Sequence, residues 1–204
     1  MFIRTENFKQ YTKLYPVVST LIALNLIAFL LKYVPGFGDR IYFEGMHING
    51  LIAEGEIWRA FTSMFLHAGF LHLLFNMFSL YLFGPELEKL AGKARFLTIY
   101  LLAGIGGSLL TYVLYIDNPI YASVGASGAI FGIFGAYAAV LVRHYKTTPQ
   151  LRQILLPIIV ISVILTFLQS NVNEASHIGG LITGFILGMF YFTHKNMMRW
   201  RNRR

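Results

Sequence analysis

Apolar residues along this chain gather into long blocks and do not recur at amphipathic spacing. A helix needs roughly 17 to 25 such residues to cross a ~30 Å hydrocarbon core. The blocks fall at 16–34, at 70–83 with a continuation toward Leu87, and at 96–115, 127–142, 155–168 and 177–193. The pattern predicts an all-α polytopic membrane protein, a six-transmembrane-helix bundle forming a single domain over 1–204. Between the blocks lie a polar leader at 1–15, a long loop at 35–69 and a basic tail at 195–204. The first block follows basic residues, as a signal peptide would. It is longer than a usual signal core, however, and Val34-Pro35-Gly36-Phe37 offers no small-x-small cleavage pattern, so it reads as a retained helix.

The 35–69 loop is too long for a simple connection. It is also too apolar to float in water, with Ile41, Tyr42, Phe43, Leu51, Ile52, Trp58, Phe61, Met64 and Phe65 within it. Such a segment suits the outer membrane interface, where Trp and Tyr sit at headgroup level.

Composition agrees. The 204 residues are 56% hydrophobic and only 13% charged, with a mean hydropathy of +0.59. A soluble domain of average make-up carries about 25% charged residues. Cysteine is absent, which removes disulfides, thiolate metal sites and thiol catalysis. The net charge of +8 does not indicate nucleic acid, because the basic residues sit at the ends of apolar blocks. With a cytoplasmic N-terminus, 14 Lys and Arg fall inside (Arg4, Lys9, Lys13, Lys89, Lys93, Arg95, Arg143, Lys146, Arg152 and five in the tail). Only 3 fall outside: Lys32, Arg40 and Arg59. Positive residues favour the cytoplasmic side, so both termini are expected there.

Polar side chains inside apolar blocks are costly and are functional candidates. The set is Asn25, His72, Asn76, Ser79, Ser108, Thr111, Ser127, Ser162, Thr166, His177 and Thr183. Most of the Ser and Thr can bond back to their own helix, and Asn25 suits a bridge between helices. His72, Asn76, Ser127 and His177 remain. At 1.5 Å rise per residue, Ser127 lies roughly 24 Å from the charge at Arg143, and His72 roughly 24 Å from Glu88. His177 lies roughly 27 Å from Lys195. Three helices therefore present polar groups in one shallow layer near the outer boundary, with Asn76 one turn deeper on the face of His72.

Gly125-Ala126-Ser127-Gly128 starts a helix, where free N–H groups favour developing negative charge. Taken locally, helix capping by Ser127 is the simpler reading. The pattern is not G-x-S-x-G, because Ala129 stands where the last glycine belongs. His177 opens the last block, followed by a Gly180/Gly184/Gly188 ladder suited to tight helix contact. Were that ladder to face Gly128, Gly132 and Gly135, Ser127 and His177 would come within hydrogen-bond reach, and a histidine beside a serine supplies a general base. No carboxylate lies in the blocks at this depth, so a dyad is implied. His72 and Asn76 suit donors to an oxyanion. A metal held by His67, His72 and His177 is the rival, weakened because no carboxylate or fourth histidine lies nearby and His67 precedes the helix.

These residues resemble the rhomboid intramembrane serine proteases over nearly the whole chain. The matching elements, in order, are Trp58-Arg59, His72-x-x-x-Asn76, Glu88-Lys89-x-x-Gly92, Gly125-Ala126-Ser127-Gly128 and His177-x-x-Gly180-x-x-x-Gly184. The resemblance implies Ser127 as nucleophile and His177 as base, with an oxyanion hole from His72, Asn76 and the Ser127 N–H. It implies Gly125, Gly128, Phe131, Gly180 and Gly184 as supporting residues, no metal and no cofactor. Substrates would be single-span membrane proteins drawn from the lipid bilayer of the plasma membrane, reaching the site past the fifth helix and the 171–176 loop. Phe131 stands where many bacterial relatives carry a tyrosine stacked on the histidine, and Ser176 where alanine is frequent. The chain looks like the minimal six-helix form. A catalytically inactive relative that binds membrane proteins is the alternative, but such proteins lose the serine or the histidine. A transporter fits worse, for want of an inverted repeat and of mid-membrane charges.

Overall fold

The computed structural model describes residues 4–146, 148–169 and 172–193. The tail expected at 195–204 lies outside them, as does Asn171 of the short loop before the last helix. The leader folds into α1 (Phe8–Leu14), started by a capping box between Asn7 and Gln10. It meets α2 (Pro16–Leu31) at a bend of 110°, and Pro16 begins α2 where a missing N–H costs nothing. The free N–H groups of Val17 and Val18 donate to the Glu88 carboxylate at 3.2 and 2.9 Å. That places negative charge at the positive end of α2. Arg4 joins Glu86 at 3.1 Å, so the leader and α2 are both tied to the segment around Glu86 and Glu88.

α6 (Phe70–Ala91) runs well past the apolar block and through Pro85. A proline inside a helix leaves the carbonyl four residues earlier without its donor. That carbonyl belongs to Tyr81, and the Tyr11 hydroxyl donates to it at 3.2 Å. Gly92, at φ +84°, turns the chain into α7 (Lys93–Leu114).

The 35–69 loop is folded. It contains α3 (Gly38–Gly45), β1 (His47–Ile48), α4 (Asn49–Ala53), α5 (Arg59–Thr62) and a 3-10 turn over Ser63–Phe65. Strand β1 pairs antiparallel with β2 (Ala122–Ser123), the segment leading to Ser127. Arg59 is only 2% exposed. It donates to Glu56 at 2.6 Å and to the carbonyls of Phe43 and Met46 at 2.5 and 2.9 Å. The loop is thereby a folded wall beside Ser127.

α8 (Ser127–Arg143) is buried on almost every side, as expected for a helix apolar all round. It packs between α6, α7 and α10 (Glu174–Tyr191). α10 starts three residues before the apolar block, because the Asn173 side chain accepts the Ser176 N–H at 2.9 Å and caps it. α9 (Pro149–Leu168) also starts earlier than its block, at a proline suited to the first turn.

Helices α6, α7 and α9 are each long and apolar enough to cross a membrane, and α1 with α2 adds a fourth if the bent pair counts as one. The chain is a polytopic helical membrane protein. Its spans are unequally enclosed: the apolar stretch of α9 is 22% buried, against 44% for α6 and 39% for α7. α9 is therefore the least fastened of the three.

Candidate active site

The centre of the molecule is a glycine-lined contact between α8 and α10. A Cβ on Gly180 would strike the carbonyl of Gly128, and one on Gly184 the carbonyl of Gly132. One on Gly135 would strike the carbonyl of Leu181. The two backbones can approach this closely only because side chains are missing from both. Their N-terminal ends meet beside the 35–69 loop.

Ser127 is the first residue of α8. The cap position is taken by Ala126, and no side chain caps the helix. Local reasoning favoured Ser127 as a cap, and the structure overturns that. Ala126 already has helical dihedrals (φ −73°, ψ −4°), so Ser127 sits inside the first turn. Its own N–H is one of those that begin a helix without an intrahelical acceptor. Gly125 makes the entry possible with φ +136°, and its N–H is held by the Ser63 carbonyl at 3.0 Å.

The His72 ring lies against Gly125. A Cβ there would come within 2.7 Å of its Cε1 and Nε2 and 3.8 Å of Ser127 Oγ. The imidazole and the hydroxyl thus border the same spot. Asn76, buried one turn along α6, donates one amide hydrogen to the His72 carbonyl at 2.8 Å. Its second amide hydrogen remains as a donor.

His177 stands one turn into α10 and is 8% exposed. Phe131, one turn after Ser127, stacks on it with ring centroids 4.1 Å apart and planes 14° from parallel. No hydrogen bond joins Ser127 to His177 among the described residues. The other face of the site was not foreseen. Thr166 of α9, 4% exposed, places Oγ1 2.9 Å from His177 Nδ1 while also bonding the Ser162 carbonyl at 3.0 Å. The sequence suggests only that most of the Ser and Thr in the apolar blocks bond back to their own helix. Thr166 makes that bond, but spacing along one helix could not show that the same hydroxyl reaches another.

A polar cavity of about 20 Å³ adjoins Ser127, lined in part by Ser63, Ser108, Ser123, Asn173 and Ser176. That is room for about one water. Asn173 ties its walls together, accepting from Thr111 at 3.1 Å and donating to Ser123 at 3.0 Å. His67 is packed edge-on against His72, centroids 5.0 Å apart. Among the described residues, no three His, Asp or Glu side chains converge in a group that could hold a metal ion.

Residues 54–194 match the model of the rhomboid domain. The chain is 43% identical over 190 residues to the rhomboid-family protein YdcA of Bacillus subtilis (strain 168), covering 92% of this chain and 94% of that one. It is 42% identical over 170 residues to the rhomboid protease GluP of the same organism, covering 80% of this chain but only 32% of GluP. It is 29% identical over 210 residues to the rhomboid protease AarA of Providencia stuartii, covering 90% and 75%. With a family domain over most of its length and a relative matched nearly end to end, the chain belongs to the rhomboid family.

Proposed function

We propose that this protein is an intramembrane serine endopeptidase that hydrolyses peptide bonds in or near transmembrane segments of single-span membrane proteins. The observation that carries the reading is the glycine-packed pairing of α8 with α10, which brings Ser127 and His177 to the same end of two touching helices. Ser127 Oγ attacks the scissile carbonyl carbon, and its proton passes to His177 Nε2. The carbonyl oxygen becomes an oxyanion, met by donors from His72, Asn76 and the Ser127 N–H. A positive helix end beneath it adds to the stabilisation. As the intermediate collapses, the C–N bond breaks and the leaving amine takes the proton from His177. A water then attacks the acyl-serine carbonyl and gives a proton to His177; the C–Oγ bond breaks, Oγ takes that proton back, and the new carboxyl terminus leaves.

The apolar blocks support six spans, and the charge bias supports cytoplasmic termini with the site opening outward and the 35–69 loop in the outer interface; the plasma membrane is the location that the family suggests. Water would reach Ser127 from outside and substrate from the bilayer past α9, the least enclosed of the three long spans. Reconstituted protein should cleave a reporter with a Gly- or Ala-rich transmembrane segment, unaffected by EDTA, and Ser127 should be labelled by a fluorophosphonate. Ser127→Ala and His177→Ala should each abolish cleavage. Persistent cleavage by Ser127→Ala would overturn the mechanism.

A further inference from the structure

We propose that Thr166 is a positioning residue that holds His177 in the tautomer able to act as a base, its hydroxyl taking the place that a carboxylate holds in a triad. The inference rests on the reading of His177 as general base. Thr166 Oγ1 carries one hydrogen and has two close partners, the Ser162 carbonyl at 3.0 Å and His177 Nδ1 at 2.9 Å. A carbonyl oxygen can only accept, so the Thr166 hydrogen belongs to Ser162. The contact with Nδ1 is then satisfied only if Nδ1 carries a hydrogen and donates to Oγ1. In neutral imidazole a protonated Nδ1 leaves Nε2 with its lone pair.

The opposite arrangement turns the Thr166 hydrogen toward Nδ1. It breaks the bond to Ser162, puts the imidazole hydrogen on Nε2 and removes the base. One arrangement satisfies both contacts and the other only one, at a site where Thr166 is 4% and His177 8% exposed. An unmade bond between buried groups costs more than a made one gains. Phe131 fixes the plane of the ring by stacking, and Thr166 fixes which nitrogen carries the hydrogen. No proton leaves Thr166 during the reaction. When His177 takes the serine proton on Nε2, Nδ1 still donates to the same oxygen, so the imidazolium keeps its partner.

Two measurements test this. In the wild-type protein, 15N-labelled at histidine and reconstituted in lipid, the neutral His177 ring should show a protonated Nδ1 and a bare Nε2, with the resonance assigned by its loss in His177→Gln. A protonated Nε2 there would overturn the proposal with no reference to activity. Thr166→Val, nearly isosteric but without the hydroxyl, should lower kcat by about ten- to a hundred-fold with KM little changed. It should slow fluorophosphonate labelling in parallel, and Thr166→Ser should restore most of the rate. A Thr166→Val protein with wild-type kcat would overturn the proposal even if Ser127 and His177 prove essential. Cleavage surviving in His177→Ala would instead sink the dyad on which it rests.

Discussion

The ring of Phe131 lies parallel to that of His177, 4.1 Å away, on the residue one helical turn after Ser127. α8 therefore supplies both the hydroxyl and a flat surface that sets the plane of the imidazole. An aromatic stack of this kind is worth about 0.5–1.5 kcal/mol beyond area burial. Phe131→Ala should lower kcat roughly tenfold, because the imidazole gains a degree of freedom. Phe131→Tyr should stay within about twofold of wild type, since the stack needs a ring and no hydroxyl. Steady-state cleavage of a reporter, compared with KM, separates this loss of positioning from weaker substrate binding.

Gly180 allows no side chain. Its Cβ would fall on the Gly128 carbonyl, which belongs to helix backbone and cannot move aside. Gly180→Ala should push α10 away from α8, costing about 1–3 kcal/mol as overpacking does, and should abolish cleavage because Ser127 and His177 part. Gly69→Ala is the control, with open space around its Cα and an extended backbone that alanine accepts. Thermal unfolding in detergent and reporter cleavage should both distinguish the two.

Gly125 is restricted twice. Its φ of +136° disfavours any side chain, and a Cβ would also meet the His72 ring. Gly125→Ala should displace the imidazole from beside Ser127. We expect a fall in kcat on the order of 10²-fold, the size of losing one oxyanion donor, with a smaller effect on unfolding temperature than Gly180→Ala.

The apolar blocks told where helices would lie because burial in lipid demands unbroken apolar length. They did not tell where helices would end. α10 begins early because Asn173 caps it, and α6 continues through Pro85 because Tyr11, distant in sequence, satisfies the carbonyl of Tyr81. His72 and Ser127, proposed from their shared depth, do border one spot at Gly125. Thr166 stands among the candidate polar residues but drops out there, because a threonine able to bond its own helix looks complete from sequence. The loop's apolar content predicts where it lies, while its order comes from Arg59, which gathers Phe43, Met46 and Glu56, and from the pairing of β1 with the distant β2, neither of which apolar content reveals.

Arg59 should tolerate no substitution, lysine included. It is almost wholly buried and gives three hydrogen bonds, to one carboxylate and two carbonyls. A lysine ammonium cannot match that fork. Arg59→Ala should cost about 1.5–3 kcal/mol, the size of a hydrogen bond to a charged group, since Glu56 is about a third exposed and keeps water as a partner. Faster proteolysis within 35–69 is the expected sign.

The loop should also loosen in acid, through His47. Its Nε2 faces Asn49 Oδ1 at 2.7 Å, and its Nδ1 faces Ser108 Oγ at 2.6 Å. The Asn49 amide nitrogen is committed to the Tyr115 carbonyl at 2.6 Å, which leaves Oδ1 as acceptor. His47 therefore donates from Nε2 and, when neutral, accepts the Ser108 hydrogen at Nδ1. Burial holds its pKa below the ordinary value near 6.5, the hydrogen bond to Asn49 opposing. His67, in the same loop, is pushed down to about 3, first by burial and then by the neighbouring His72. A histidine with a depressed folded pKa binds fewer protons folded than unfolded. Its contribution to stability is complete above pH 6.5 and is lost as pH falls from there toward the folded value. The loss is at most about 1.4 kcal/mol per pH unit for each histidine. Unfolding temperature should thus fall between pH 7 and pH 5, and His47→Asn, which cannot titrate, should show a shallower fall. An equal slope in the variant would show that protonation of His47 does not loosen the loop.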